Sequence, residues 1–421
     1  MGNDIHTHTL GCKVNFSDTQ LFAETIKCDD ARAAAVIGTC CVTVEGEKQS
    51  RKEVRRALKR VGPNGKVYVT GCAVRLDPVS FNRIAENVEV VPDRMQAAVK
   101  TGSTATAAQF DAQIDFKNAA ETGQRTRFFL KVQDGCGRRC SYCIIPFVRG
   151  EPESIPMRDV LSLATDNIQK GYQEIVITGI NVGAYKDGNA GIAGLIERLS
   201  HLDGLKRMRL SSIEAPHINK DMLKVMADNL IIGRHLHIPL QSGNDTVLKS
   251  MGRSYGLSLF LEKINMVRDA LPDINLTTDV IVGFPTENVK SFEKTLRMVE
   301  EIGFTKVHVF PYSPRPGTKA HLMDDKVTQS EKKRRSCVLR ELSDRLGSKH
   351  RQGKIGLVEE ILLESSAGNG KYKGYSVDYT HYIVDGGKEN RLVAAKGIKV
   401  TSASIDAKLV ERVWIKRFPY C

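Results

Sequence analysis

The stretch DGCGRRCSYCIIPF, residues 134–147, places Cys136, Cys140 and Cys143 at C-x3-C-x2-C spacing. Structural zinc and most iron–sulfur clusters take four protein ligands. A set of three either borrows its fourth ligand from elsewhere or leaves one metal position open for chemistry. Cysteines this close fit a single loop wrapped around a cubane, three irons held and the fourth free for the nitrogen and oxygen donors of a small molecule. Zinc is the competing reading and needs a further ligand such as a nearby histidine. No histidine lies between residues 9 and 200.

A second set of three stands upstream: Cys12 after HTHTLG, Cys40 after AAAVIGT and Cys72 after VYVTG. Each closes an apolar run and precedes a turn into helix-compatible sequence. Ligand sites of α/β units gather at the carboxyl ends of the strands, so parallel pairing brings the three thiolates to one edge of one sheet. Cys41 neighbours Cys40, points to the opposite side if strand geometry persists, and is the alternative ligand. Cys28, Cys337 and Cys421 fall in a loop, a helix and the chain end and read as incidental.

The elements that must position these residues fall into three regions. Residues 1–118 alternate strands and helices. Ser17 with Gln20 has capping-box spacing for a first helix, and EGEKQSRKEVRRALKRVG is a long charged one. TGSTATAAQFDAQIDFKNAAETGQ, residues 101–124, loses periodicity and reads as a linker. Residues 119–350 resume the alternation with six strand candidates: RFFLKVQ, EIVITGI, RMRLSSI, HLHIPLQ, LTTDVIVGF and KVHVFPY. Six strand–helix units imply parallel strands with right-handed crossovers, as an open sheet or incomplete barrel. Residues 351–421 are β-branched and glycine-punctuated, which predicts a small antiparallel barrel or sandwich.

At the strand ends of the central region stand Thr178, Gly179 and Asn181 in VITGIN, Ser212 and Glu214 in LSSIE, Gln241 in PLQSG, and Gly283 with Pro285 in VGFP. Barrel enzymes place reactive groups at this face, so these residues are the candidate cofactor contacts. His6, His8, His235 and His237 read as core or edge residues.

The chain has 421 residues, 62 Lys and Arg against 49 Asp and Glu, and a net charge of +13. That excess favours a polyanionic partner, nucleic acid being the commonest. The basic helices KQSRKEVRRALKR and EKKRRSCVLRELSDRLGSKHR, with Tyr372, Tyr375, Tyr379 and Tyr382 of the terminal region, make RNA the expected one. Ten cysteines are too few for a disulfide scaffold of this size. No run reaches the roughly 18 apolar residues that would span a bilayer. MGNDIHTHTLGC lacks a basic segment followed by an apolar core, so a cytoplasmic location is expected.

CGRRCSYCIIPFVRG resembles the cluster loop of the radical S-adenosylmethionine enzymes, and the three strand-end cysteines are similar to the N-terminal domain of the methylthiotransferases among them. GYSVDYTHYIV resembles their TRAM domain, a small RNA-binding barrel. TLGCKVNFSDT, VITGINVGAY and VFPYSPRPGT look most like the group acting on N6-threonylcarbamoyladenosine. Gly38, the AVR after Cys72 and the EPESIP segment depart from the usual pattern.

The resemblance implies two 4Fe-4S clusters. Cys136, Cys140 and Cys143 would hold the one whose open iron binds S-adenosylmethionine and whose electron generates a 5′-deoxyadenosyl radical. Cys12, Cys40 and Cys72 would hold an auxiliary cluster carrying the transferred sulfur. Thr178, Gly179, Asn181, Ser212, Glu214 and Gln241 would contact the cofactor. The implied reaction is methylthiolation at C2 of the modified adenosine in a tRNA anticodon stem-loop, with a flavodoxin- or ferredoxin-type electron donor and a sulfur donor as partners. The alternatives are methylthiolation of isopentenyladenosine in tRNA, of a ribosomal-protein aspartate, or a non-enzymatic iron–sulfur RNA-binding sensor.

Overall fold

The computed structural model describes residues 5–26, 34–91, 126–324 and 326–410. The expected linker, Cys28 and Cys421 lie outside the described residues.

The first unit is a parallel sheet of β1 (His6–Thr9), β2 (Ala34–Thr39), β3 (Lys66–Gly71) and β4 (Val88–Val90), in that order. All six residues of β2 are buried, as its unbroken apolar run requires of a strand covered on both faces. The helix Val44–Val61 is capped by Thr43, whose side chain accepts from the Gly46 N–H. Glu45 and Glu47 sit in its first turn and Lys59 and Arg60 in its last, matching the helix dipole at both ends. The first helix differs from expectation. It runs Lys13–Thr25 with Cys12 at its cap, so Ser17 and Gln20 lie inside it. The Asn15 amide decides this by donating to the carbonyls of Leu10 (2.6 Å) and Thr39 (3.0 Å), which ties the first turn to the sheet edge.

The six predicted strands of the central unit all form. β5 (Arg127–Asp134) carries the short antiparallel β6 (Glu153–Ser154) on one side and parallel β7 (Glu174–Gly179) on the other. A two-residue hairpin of β8 (Lys186–Asp187) and β9 (Ala190–Gly191) follows. Next come β10 (Arg207–Leu210), β11 (His235–His237), β12 (Asn275–Val282) and β13 (Lys306–Pro311). Single parallel bridges, Met208 to Ile232 and Ser212 to His237, join the β10 and β11 segments. The result is an incomplete six-stranded barrel.

Strand alternation divides its two faces. Leu130, Val132, Ile175 and Ile177 pack outward against helical residues such as Val160, Ala164 and Leu195 in the main core. The inward face is largely polar, and the N-terminal unit reaches into it. Phe16 meets Phe129 edge-on at 5.3 Å, and Lys131 binds Asp18 at 2.7 Å.

The last region is a closed barrel of β14 (Val358–Gly368), β15 (Lys371–Ser376), β16 (His381–Asp385), β17 (Arg391–Val400) and β18 (Ile405–Leu409). Its pairings are antiparallel except one: β16 closes on β18 in parallel. This barrel docks on the amino-terminal ends of the central strands. Arg207 donates to the Tyr375 carbonyl (2.9 Å), Arg209 to that of Val377 (2.9 Å) and Asn275 to that of Asp378 (2.7 Å).

The docking revises the expected role of the tyrosines. Tyr382 is buried in the barrel core, and Tyr375 stacks on Tyr379 at 4.8 Å, with Arg127 and Arg209 against these rings. They serve the internal interface because the neighbouring guanidiniums need a flat apolar partner as well as carboxylates. The basic helix Gln329–Gln352 is likewise spent in part inside the molecule. Lys332 and Arg335 are buried, and Arg335 pairs with Glu287 at 2.6 Å. Among the described residues no helix is long and apolar enough to cross a membrane.

Candidate functional site

The C-x3-C-x2-C loop follows β5 and is shaped by close backbone contacts. Gly135 has φ +69, and a Cβ there would lie 1.9 Å from the Glu151 carbonyl oxygen, so only glycine fits. The Cys136 N–H donates to Gly150 O (3.0 Å), the Ser141 N–H to Met251 O (2.9 Å) and the Cys143 N–H to Cys140 O (3.1 Å). Burial pushes the Cys136 thiol up and that of Cys143 up to about 12, and each of these sulfurs feels Cys140 as well. Three thiols that would repel one another as thiolates are a natural seat for cationic iron.

The upstream set converges as expected at the carboxyl edge of its sheet. Gly11, φ +95, turns so tightly that an added Cβ would touch Cys40 Sγ at 3.0 Å. Cys12 is exposed to the cavity described below, yet protein surrounds it closely enough that desolvation pushes its thiol up. Burial raises Cys40 to about 11. Cys72 shifts the other way, because Cys41 donates a hydrogen bond to it and Arg149 lies against it. Cys12, Cys40 and Cys72 each sense the other two or their shared neighbour Arg149. Cys41 is buried in the apolar cluster with Ile144 and Val148, but its thiol bonds to Cys72 and so lies on the side of the cysteine set, because β2 ends at Thr39 and strand alternation does not extend to Cys40 and Cys41.

Among the described residues no three His, Cys, Asp or Glu side chains are grouped tightly enough to share one metal ion. A single zinc holds all its sulfurs about 2.3 Å away, whereas a cubane gives each cysteine its own iron and suits a wider spacing. The loop of Cys136, Cys140 and Cys143 offers the three sulfur donors that a 4Fe-4S cluster with one open iron needs.

Arg149, which the sequence reading passed over, joins the N-terminal unit to the central barrel beside Cys72. It belongs to the same loop-and-helix segment as Cys143, its side chain is 1% exposed, and its Nε donates to Cys72 Sγ at 3.2 Å. Its Nη1 also binds Asp18 (3.0 Å) and Asp134 (2.9 Å). Burial alone would raise the Asp134 carboxyl, but Lys131 and Arg149 overcome it and hold it well below the usual range. The buried carboxylates of Asp18 and Asp134, with the Cys72 sulfur, call for a buried cation between them. The one sequence signal of Arg149 is its place in IIPFVRG, directly after the cysteine loop.

The strand-end residues occupy one rim but not one role. Gln133 fixes two of its neighbours, donating to Gly135 O (2.8 Å) and accepting from the Asn181 N–H (2.8 Å). Thr178 Oγ1 and Asn181 Oδ1 are buried without a hydrogen-bond partner, which suits a polar ligand. Gln241 holds φ +65 and is pinned to β12 through Asp279 O and the Ile281 N–H. Such strain in a non-glycine residue is characteristic of ligand-binding rims. Glu214 is engaged by a guanidinium fork from Arg253 and by the Tyr255 hydroxyl at 2.8 Å, while Arg253 also reaches within 4.0 Å of Cys140 Sγ.

A cavity of about 620 Å³ takes in only part of this set: Cys40, Cys72, the Cys136–Cys143 loop, Asn181, Glu214 and Gln241 are not among its lining residues. Gly11, Cys12 and Lys13 line it from the N-terminal unit, Thr178, Gly179 and Ser212 from the strand ends, and Tyr375, Tyr379 and His381 from the terminal barrel. His235, His237, Thr277, Asp279 and His308 line it from inside the central barrel. His235 bonds Thr277 Oγ1 at 2.8 Å, and His237 pairs with Asp279 at 3.1 Å. Burial, with Arg209 nearby, holds His235 well below the usual histidine range. His235 is the core residue expected, and it also faces the cavity.

Residues 4–92 match a family described as uncharacterized protein family UPF0004, and residues 130–299 match the radical SAM superfamily. The chain is 35% identical over 426 residues to the threonylcarbamoyladenosine tRNA methylthiotransferase MtaB of Bacillus subtilis, with 93% of each chain covered. It is 34% identical to the protein of the same name from Thermotoga maritima, with 95% of each covered. A tRNA-2-methylthio-N6-dimethylallyladenosine synthase of Thermodesulfovibrio yellowstonii is 29% identical, with 86% of this chain and 88% of that one covered. The solved structure of the radical S-adenosylmethionine methyltransferase TsrM from Kitasatospora setae shares the fold at 13% identity and TM-score 0.51, covering 82% of this chain and 72% of that one. The matched domains, their order along the chain and the full-length relatives agree: this chain belongs to the radical S-adenosylmethionine methylthiotransferases.

Proposed function

We propose that the protein inserts a methylthio group at C2 of N6-threonylcarbamoyladenosine beside the anticodon of tRNA. The observation that carries this reading is the cavity, which brings Cys12, the rim residues Thr178 and Gly179 and a polar, histidine-rich wall into one space. That wall, with His235, His237, Thr277, Asp279 and His308, suits a polar N6 substituent better than a hydrocarbon one, since burying polar groups against an apolar arm costs free energy. Cys136, Cys140 and Cys143 would hold one 4Fe-4S cluster, and Cys12, Cys40 and Cys72 a second. When bound, these groups and S-adenosylmethionine supply the one-electron chemistry, the sulfur and the methyl group.

The chain's own residues position and enclose. Gln133 and the Gly135 turn fix the cysteine loop against Asn181. Arg149, Asp18 and Asp134 clamp the N-terminal unit to the central barrel. The terminal barrel closes the amino-terminal end of the cavity, which keeps water from a site where a reactive species must survive. A cytoplasmic location, an electron donor of flavodoxin or ferredoxin type and a separate sulfur donor follow from this reading.

The tRNA body needs a basic surface, and the tyrosines are not free to provide one. Exposed lysines are. Lys396, Lys399 and Lys408 stand on adjacent strands β17 and β18, with Lys396 directly opposite Lys408. Replacing all three with glutamine should weaken tRNA binding and lower the slope of log affinity against log salt by about 3 if each meets a phosphate. Removing the terminal barrel would be a poorer probe, because it would strip the buried Arg207 and Arg209 of their carbonyl partners. A slope equal to that of the wild type would remove this face from the RNA interface.

The reading is tested with iron-loaded protein, a strong reductant, S-adenosylmethionine and tRNA carrying N6-threonylcarbamoyladenosine. The expected product is the 2-methylthio nucleoside, found by mass spectrometry of the digested tRNA. Product on isopentenyladenosine alone would move the assignment to that substrate.

A further inference from the structure

Where the terminal barrel meets the central one, the buried charges nearly balance. Arg127 pairs with Glu364, Arg207 with Glu360 and Glu174, and Arg209 with Glu174. Lys13 stands beside this layer as one further cation. Its ammonium lies 5.9 Å from the Tyr379 ring centroid. Protein surrounds that end, while the residue remains partly open to the cavity.

Other cations lining the cavity are occupied. Lys306 reaches Asp344 at 3.4 Å, and Arg351 donates to Ser402 O at 2.9 Å. Asp279, the carboxylate in the lining, is held by His237. Among the described residues the Lys13 ammonium makes no hydrogen bond and no ion pair. Its place is also unfavourable by itself: it is the first residue of the helix Lys13–Thr25, where the helix dipole disfavours positive charge and no acidic residue offsets it. An enclosed cation with no direct ion-pair partner, which feels only the more distant Glu174 and the Tyr379 ring and lines a substrate-sized cavity, is half of an ion pair whose other half arrives with the ligand.

We propose that Lys13 receives the carboxylate of the substrate's N6 arm, and so selects an adenosine bearing an acidic N6 substituent. The inference rests on the function proposed above and adds a specificity residue to it. Threonylcarbamoyl ends in a free carboxylate, whereas a dimethylallyl arm is hydrocarbon throughout. Lys13 directly follows Cys12, so a carboxylate held there keeps the purine near the upstream cysteine set. Lys13 is a positioning and specificity residue in this scheme, and the bond chemistry happens elsewhere on the base.

The test is binding of full-length, iron-loaded protein to anticodon stem-loops, followed by fluorescence anisotropy. Three RNAs are compared, bearing at the target position N6-threonylcarbamoyladenosine, its methyl ester or unmodified adenosine. Wild-type protein should prefer the free acid. Lys13→Met should weaken binding of the free acid by about 10- to 100-fold, the range for a hydrogen bond to a charged group, and leave the other two RNAs within about twofold. Lys13→Arg should retain much of the preference. The ester should bind the methionine variant no worse than the acid does, which identifies the carboxylate as the partner. Equal weakening of all three RNAs by Lys13→Met, or no weakening of any, would overturn the assignment of Lys13 while leaving the tRNA reading intact. Failure of the wild-type protein to bind any of the RNAs would overturn both.

Discussion

Cys140→Ala is expected to bring 5′-deoxyadenosine formation to background, a loss on the order of 10³-fold or more, measured chromatographically with S-adenosylmethionine and a strong reductant. Open-site chemistry needs three thiolates and one vacant iron, so removing one thiolate removes the reaction, not only its efficiency. The surrounding structure should survive. Arg253, 4.0 Å from Cys140 Sγ, keeps its fork on Glu214 and its contact with Tyr255. The loop keeps its bonds from Ser141 to Met251 O and Ser250 O. A folded Cys140→Ala protein that still formed 5′-deoxyadenosine at more than a tenth of the wild-type rate would remove Cys140 from the cluster.

Cys72→Ala should separate the two halves of the reaction. Formation of 5′-deoxyadenosine should remain within about tenfold of wild type, the usual reach of a distant or indirect partner, while methylthio product disappears. Arg149 would lose its sulfur acceptor but keep Asp18 and Asp134, so the domain clamp persists and the expected stability loss is about 1–3 kcal/mol. Iron content should fall by about half if each set of three cysteines holds one cluster. Normal methylthiolation by this variant would refute the two-cluster arrangement.

Much of the fold was written in periodicity and turn chemistry. All six central strands form where apolar runs end in polar residues, since a strand buried on its outer face must show that alternation. The convergence of Cys12, Cys40 and Cys72 was readable for a similar reason: parallel units put all strand ends on one edge. The sequence reading did not reveal the use made of charges far apart in the chain. Arg127, Arg207 and Arg209 stood inside predicted strands with no role assigned, and only the tertiary fold shows Arg207 and Arg209 buried and Arg127 and Arg209 set against Tyr375 and Tyr379. Ser17 misled because its spacing to Gln20 satisfies a local rule, while the Asn15 amide bonds that start the helix earlier depend on Thr39, 24 residues away. Arg149 and Lys13 lay inside quoted motifs, but their partners, or lack of them, are properties of the assembled cavity.

The central claim is that the protein modifies a tRNA adenosine at C2, and nucleoside mass spectrometry of tRNA from cells lacking the protein, beside complemented cells, tests it most directly. The account predicts loss of 2-methylthio-N6-threonylcarbamoyladenosine with accumulation of its unthiolated precursor, both reversed by the wild-type chain and not by Cys72→Ala. Persistence of that nucleoside at wild-type level in cells with no second enzyme of this family would contradict it.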